Sequence, residues 1–155
     1  MKIIGVVYVA FLLLSLSGMT LRNVPLKLVA NATGFVLAVL LYRLFAPADP
    51  DIALALLPLA FIHYAVQGVG QVRADAGTVR LALLPFAVYL MVLGYLIAQS
   101  TFAPVALGVL IGLAGLGWLI TVVPRVPTWF TLAVVAFGVI AEVALAIWLL
   151  IAPSS

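Results

Sequence analysis

"TWFTLAVVAFGVIAEVALAIWLLI", residues 128–151, decides what kind of protein this is. It holds a single charge, Glu142, and has no polar face such as a helix on a soluble protein keeps toward water. About 20 mostly apolar residues cross the ~30 Å hydrocarbon core of a bilayer, and this stretch suffices. The rest of the chain agrees. Of 155 residues, 68% are hydrophobic and 7% charged, and the mean hydropathy is +1.42. Soluble domains are roughly half apolar and about a quarter charged, so both a water-soluble and a disordered reading fail. Without cysteine there are no disulfides, thiolate catalysis, iron–sulfur clusters or cysteine zinc sites. One histidine rules out a multi-histidine metal site or a bis-histidine haem within the chain, and no metal or cofactor is expected. The net charge of +3 is too sparse for nucleic acid, which needs a clustered basic face.

Five more windows read as spans, at residues 3–18, 25–45, 52–72, 81–99 and 104–123, giving six with 128–151. The connectors "MTLRNV", "APADPD", "RADAGTVR", "STFA" and "PRVP" are short enough to force neighbouring helices antiparallel. The expected fold is therefore all-α: one polytopic transmembrane helical bundle, residues 1–155, of about six short-looped spans. The first span has a signal-peptide rival, because Lys2 precedes an apolar run ending in "SLS". Basic residues at Arg22 and Lys27, beyond that run, favour an uncleaved helix. Arg22, Lys27, Arg73, Arg80 and Arg125 fall on one side, with Lys2 and Arg43 on the other. That asymmetry places the first side in the cytoplasm of a bacterial inner-membrane protein, with both termini outside.

Small residues and prolines punctuate the spans. Gly108, Gly112 and Gly115 form a seam on the fifth helix along which another helix can approach closely; Gly138 lies on a similar stripe of the sixth. Pro58 and Pro85 are expected to kink the third and fourth spans. Trp118, Trp129 and Tyr42 lie near helix ends, where aromatic belts form.

Intramembrane polar groups are the functional lead. Glu142 lies about 21 Å along its helix from Thr128, near the midplane, on a stripe with Thr131, Val135, Gly138 and Ala146. A carboxylate there needs compensation. His63, about 16 Å along the third span, is the natural partner, and Gln67 and Gln71 continue its face at i+4 and i+8. Asn31 and Thr33 enter from the second helix, and Tyr64, Tyr89 and Tyr95 offer hydroxyls. Three readings follow: a polar network fixing helix register, a binding site for a lipid-like or small amphipathic ligand, or a proton- or ion-coupled relay between Glu142 and His63. Catalysis is not expected. There is no GxSxG, no HExxH and no intramembrane aspartate pair, and Ser15 and Ser17 carry no nucleophile elbow.

"LGYLIAQSTFAPVALGVLIGLAGLGWLI" followed by "AEVALAIWLL" resembles a family of small bacterial membrane proteins described only as a domain of unknown function. Its members read GYL-x3-SG-x-LP-x3-G-x4-AGLGYLI and then GE-x2-LA-x-WLL. The matching residues include Gly94, Tyr95, Pro104, Gly108, Gly115, Trp118, Glu142 and Trp148. A looser similarity covers "LAVLLYRLFAPADPDIALALLPLAFIHYAVQGV". Two departures stand out: "STFAP" lacks the family's basic residue in that loop, and Ala141 replaces the glycine before the acid. A basic residue there would put the loop inside, against the charge count. The resemblance implies a helical membrane protein and brings no activity with it. Expected partners are membrane lipid and either a small amphipathic ligand or, if the chain is a non-catalytic subunit, other membrane proteins.

Overall fold

A computed structural model describes residues 1–123 and 125–152; Pro124, in the "PRVP" connector, lies outside them. The regular structure among these residues is helical: α1 (Lys2–Thr20), α2 (Val24–Phe45), α3 (Pro50–Leu54), α4 (Leu56–Arg73), α5 (Ala76–Leu81), α6 (Leu83–Gln99), α7 (Val105–Thr121) and α8 (Thr128–Ile151). Segments α3 and α4 make one crossing, as do α5 and α6, so the eight segments form six passes. Five passes are long and apolar enough to cross a membrane. The sixth, α7, has 17 residues and reaches about 25 Å, at the short end for a span. Apolar side chains also cover the outside, with Leu132, Ile140, Ile147 and Ile151 of α8 exposed. This is a multi-pass integral membrane protein.

Both interruptions trace to proline. Pro58 and Pro85 have no N–H to give the carbonyl four residues back, and the helix breaks at Ala55 and at Ala82, three residues before each. The connector "RADAGTVR" is mostly helix rather than the expected loop. Asp75 caps α5 by accepting from the backbone N–H groups of Gly77 and Thr78 and from the Thr78 hydroxyl, which starts the fourth pass at Ala76 instead of residue 81. Those bonds, the Thr78 hydroxyl first and the Gly77 N–H next, hold the Asp75 carboxyl below its ordinary range. A depressed carboxyl stabilises the fold above its unfolded pKa and loses that contribution as pH falls through the folded value. Acidification is therefore expected to lower the amide protection factors of Gly77 and Thr78 before those of the core, and unchanged protection would contradict the cap. Arg80, five residues after Asp75, donates to the carbonyls of Thr121 (3.0 Å) and Val123 (2.6 Å), closing the C-terminus of α7.

The passes form a closed ring in chain order. Helix α1 packs on α2, α2 on α4, α4 on α6, α6 on α7, α7 on α8, and α8 back on α1. The α6–α7 contact is backbone to backbone. A Cβ on Gly94 would lie 2.6 Å from the Gly108 carbonyl oxygen, one on Gly108 would lie 2.5 Å from the Gly94 oxygen, and one on Gly115 would lie 2.7 Å from the Ala87 oxygen. The expected glycine seam is thus occupied within the chain. Its membership differs from the expectation. Gly94 is part of it, while a Cβ on Gly112 would meet nothing within 4 Å, so Gly112 joins only through its backbone, beneath Gly94.

One half of the ring is filled. Leu41, Phe45, Leu56, Leu93, Ile97 and Leu149, among others, are wholly buried toward the end that carries the Ala46–Asp49 and Ser100–Pro104 connectors. There Phe102, from the second connector, stacks on Phe45 (5.4 Å between centroids) and on Trp148 (6.0 Å), packing the connector against that core. The other half, toward Arg22, Lys27 and Arg73, is hollow.

Candidate functional site

The hollow is a cavity of about 220 Å³. Glu142 borders it because α8 turns one continuous face inward, with Gly138, Ala141, Leu145 and Ala146 buried beside the acid while Ile140, Val143 and Ile147 point out. The carboxyl-bearing residue is 9% exposed. None of the side-chain hydrogen bonds among the described residues involves that carboxyl. Tyr64, from α4, lines the same cavity.

His63 borders the same cavity, but its bond goes elsewhere. Nδ1 lies 2.7 Å from the carbonyl oxygen of Ala82. A carbonyl only accepts, so Nδ1 carries the proton, and in the neutral ring Nε2 remains an acceptor. The reason lies in α6. Around Pro85 the helix is loosened, and the Phe86 N–H reaches the Ala82 carbonyl only at 3.4 Å. His63 satisfies a carbonyl that the proline-broken helix serves badly. The expected Glu142–His63 pair is therefore replaced by two separate groups facing one space.

Gln67 and Gln71 continue the His63 face along the wall. Asn31 donates from Nδ2 to Gln71 Oε1 at 3.2 Å, tying α2 to α4. The structure thus brings Glu142, His63, Gln67 and Asn31 to one cavity, with Lys27, Ser15 and Met19 nearer its outer end. Thr33 takes no part, since its hydroxyl donates to the Val29 carbonyl one turn back. Tyr95 is a correction: at 43% exposed it points away from the interior.

Trp118 is a larger correction. Its position near a helix end suggested a membrane-interface ring, yet it lines the cavity and its indole N–H is buried without a partner. A Cβ on Gly138 would lie 3.0 Å from that nitrogen. Gly138 therefore serves to admit the indole, one turn from Glu142. Phe11 and Phe86 also line the cavity and went unnoticed among so many apolar residues. The site can accept hydrogen bonds at Glu142 and hold apolar groups against its rings, while the Trp118 N–H is enclosed against Gly138.

No curated protein and no solved structure matches the chain. Residues 71–152, from the end of α4 to just past α8, match the model of the family described as Domain of unknown function (DUF4386). Glu142, Trp118 and the glycine seam all fall within the matched stretch. The match covers more than half of the 155 residues, and the chain belongs to the DUF4386 family.

Proposed function

We propose that the protein binds a lipid-like or small amphipathic molecule in the cavity. The observation that carries this is Glu142: a carboxyl inside a membrane bundle, bordering open volume, with no hydrogen-bond partner among the described residues. A register-fixing network would spend its polar groups on one another, because a buried polar group left unpaired is costly. Here Glu142 and the Trp118 N–H remain unspent. A molecule with an apolar body and a polar or cationic head satisfies the carboxyl, while the indole N–H stays enclosed against Gly138. The aliphatic and aromatic walls suit the body, as in most small-molecule sites.

The subunit reading has less support, because the close-packing seam it would use is taken up between α6 and α7. A coupled relay would need water to reach Glu142 from both ends, and one half of the bundle is filled with packed side chains. By the charge count the hollow half faces the cytoplasm of a bacterial inner membrane, so the ligand would arrive from that side or from that leaflet. No catalytic step is assigned to the site.

Native mass spectrometry of wild type beside Glu142→Gln tests the reading. The expected result is a reproducible adduct on wild type that is depleted on the variant. Bare protein in both, at equal stability, would sink the proposal.

A further inference from the structure

We propose that the molecule taken up is an organic ammonium ion. This rests on the reading of the cavity as a ligand site and names its chemistry. Five of the rings that line the cavity touch in an unbroken series. Phe11 meets Tyr64 at 6.1 Å between centroids, Tyr64 meets His63 at 4.6 Å, His63 meets Phe86 at 4.7 Å, and Phe86 meets Trp118 at 5.9 Å. They come from α1, α4, α6 and α7. Helix α8 adds no ring to the lining; it supplies Glu142 and Gly138 instead. The result is an arc of π systems opposite one unpaired carboxyl.

Other ligand chemistries fit less well. A bare metal ion needs several oxygen ligands, and this cavity offers one carboxyl among rings. An anionic head group would seek Lys27, the one basic residue of the lining. Lys27 sits in the first turn of α2, whereas Glu142 lies about 21 Å down α8 from the same end of the bundle. A plain alkyl chain would fill the volume and leave the carboxyl uncompensated. An ammonium carrying alkyl or aryl groups meets every feature. Its charge is attracted by the rings and its substituents pack against them. Glu142 supplies a counter-charge in surroundings where such an interaction is weakly screened.

The test uses purified wild-type protein in a neutral detergent and needs no variant to be decisive. Binding is measured for benzyltrimethylammonium and for neopentylbenzene, its uncharged carbon isostere, both compact enough for about 220 Å³. The ammonium is expected to bind at least about tenfold tighter than the isostere. Glu142→Gln is expected to remove that preference. Equal binding of the two probes to wild type, or undiminished ammonium binding by Glu142→Gln, overturns the proposal. If neither probe binds while the wild-type adduct persists in native mass spectra, the ammonium assignment falls and the ligand site stands. If neither binds and the adduct is absent, both fall.

Discussion

Gly108→Val is expected to cost the protein its fold, or at least about 3 kcal/mol of stability, beyond the usual range for overpacked cores. The atoms a Cβ would strike are backbone. The Gly94 carbonyl oxygen would be 2.5 Å away and the Ala98 nitrogen 2.7 Å. A side chain can change rotamer to make room, but a helix backbone can only move away as a whole. Separating α6 from α7 forfeits the close van der Waals contact that holds membrane helices together where apolar burial gives little advantage over lipid. Gly112→Ala, four residues on, is the matched control, because its new methyl would face open space. Thermal unfolding in detergent should show a large drop in midpoint for Gly108→Val and none for Gly112→Ala. Similar midpoints for Gly108→Val and wild type would mean the seam is not close-packed.

The second large effect is expected at His63. Phenylalanine there keeps a ring against Phe86 and Tyr64 but cannot donate to the Ala82 carbonyl. That carbonyl would be left with the 3.4 Å bond from Phe86 alone, at a cost of about 1–3 kcal/mol for an unsatisfied buried group. His63→Phe should therefore lower the unfolding midpoint and speed hydrogen exchange near the Pro85 break. If the variant were as stable as wild type and lost only its ligand, His63 would be a ligand contact and not a clasp across the broken helix.

The overall fold was open to reading from the chain because bilayer thickness sets span length, and Glu142 stands out in α8 as a lone charge. The inward direction of the acid followed from the small residues on its own face. Its failure to pair with His63 did not follow. Depth along two helices says nothing of a third, and the decisive partner of His63, the Ala82 carbonyl, belongs to a helix broken by a proline three residues further on. Trp118 was misplaced for a similar reason. Nearness to a helix end suggested the interface, while the pointer to burial lay on another helix, in Gly138. The turns were also hard to read. Arg22, Ala74 and Arg125 hold positive φ values of 50°, 53° and 76°, where a reader would look for glycine. The capping role of Asp75 was visible in principle, since an aspartate before Ala-Gly-Thr is a helix-start signal.

The packed side chains of Leu41, Leu93 and Leu149, with the stack of Phe45, Phe102 and Trp148 at their end of the bundle, fill the way through from the hollow. A pit with one mouth exchanges with one compartment. Were the proposed ligand bound there, its occupancy would follow the ligand's activity on that side alone and would be indifferent to any gradient across the bilayer. Net movement of a solute would require the packed core of that half to part, and Phe102 to leave its place between the other two rings.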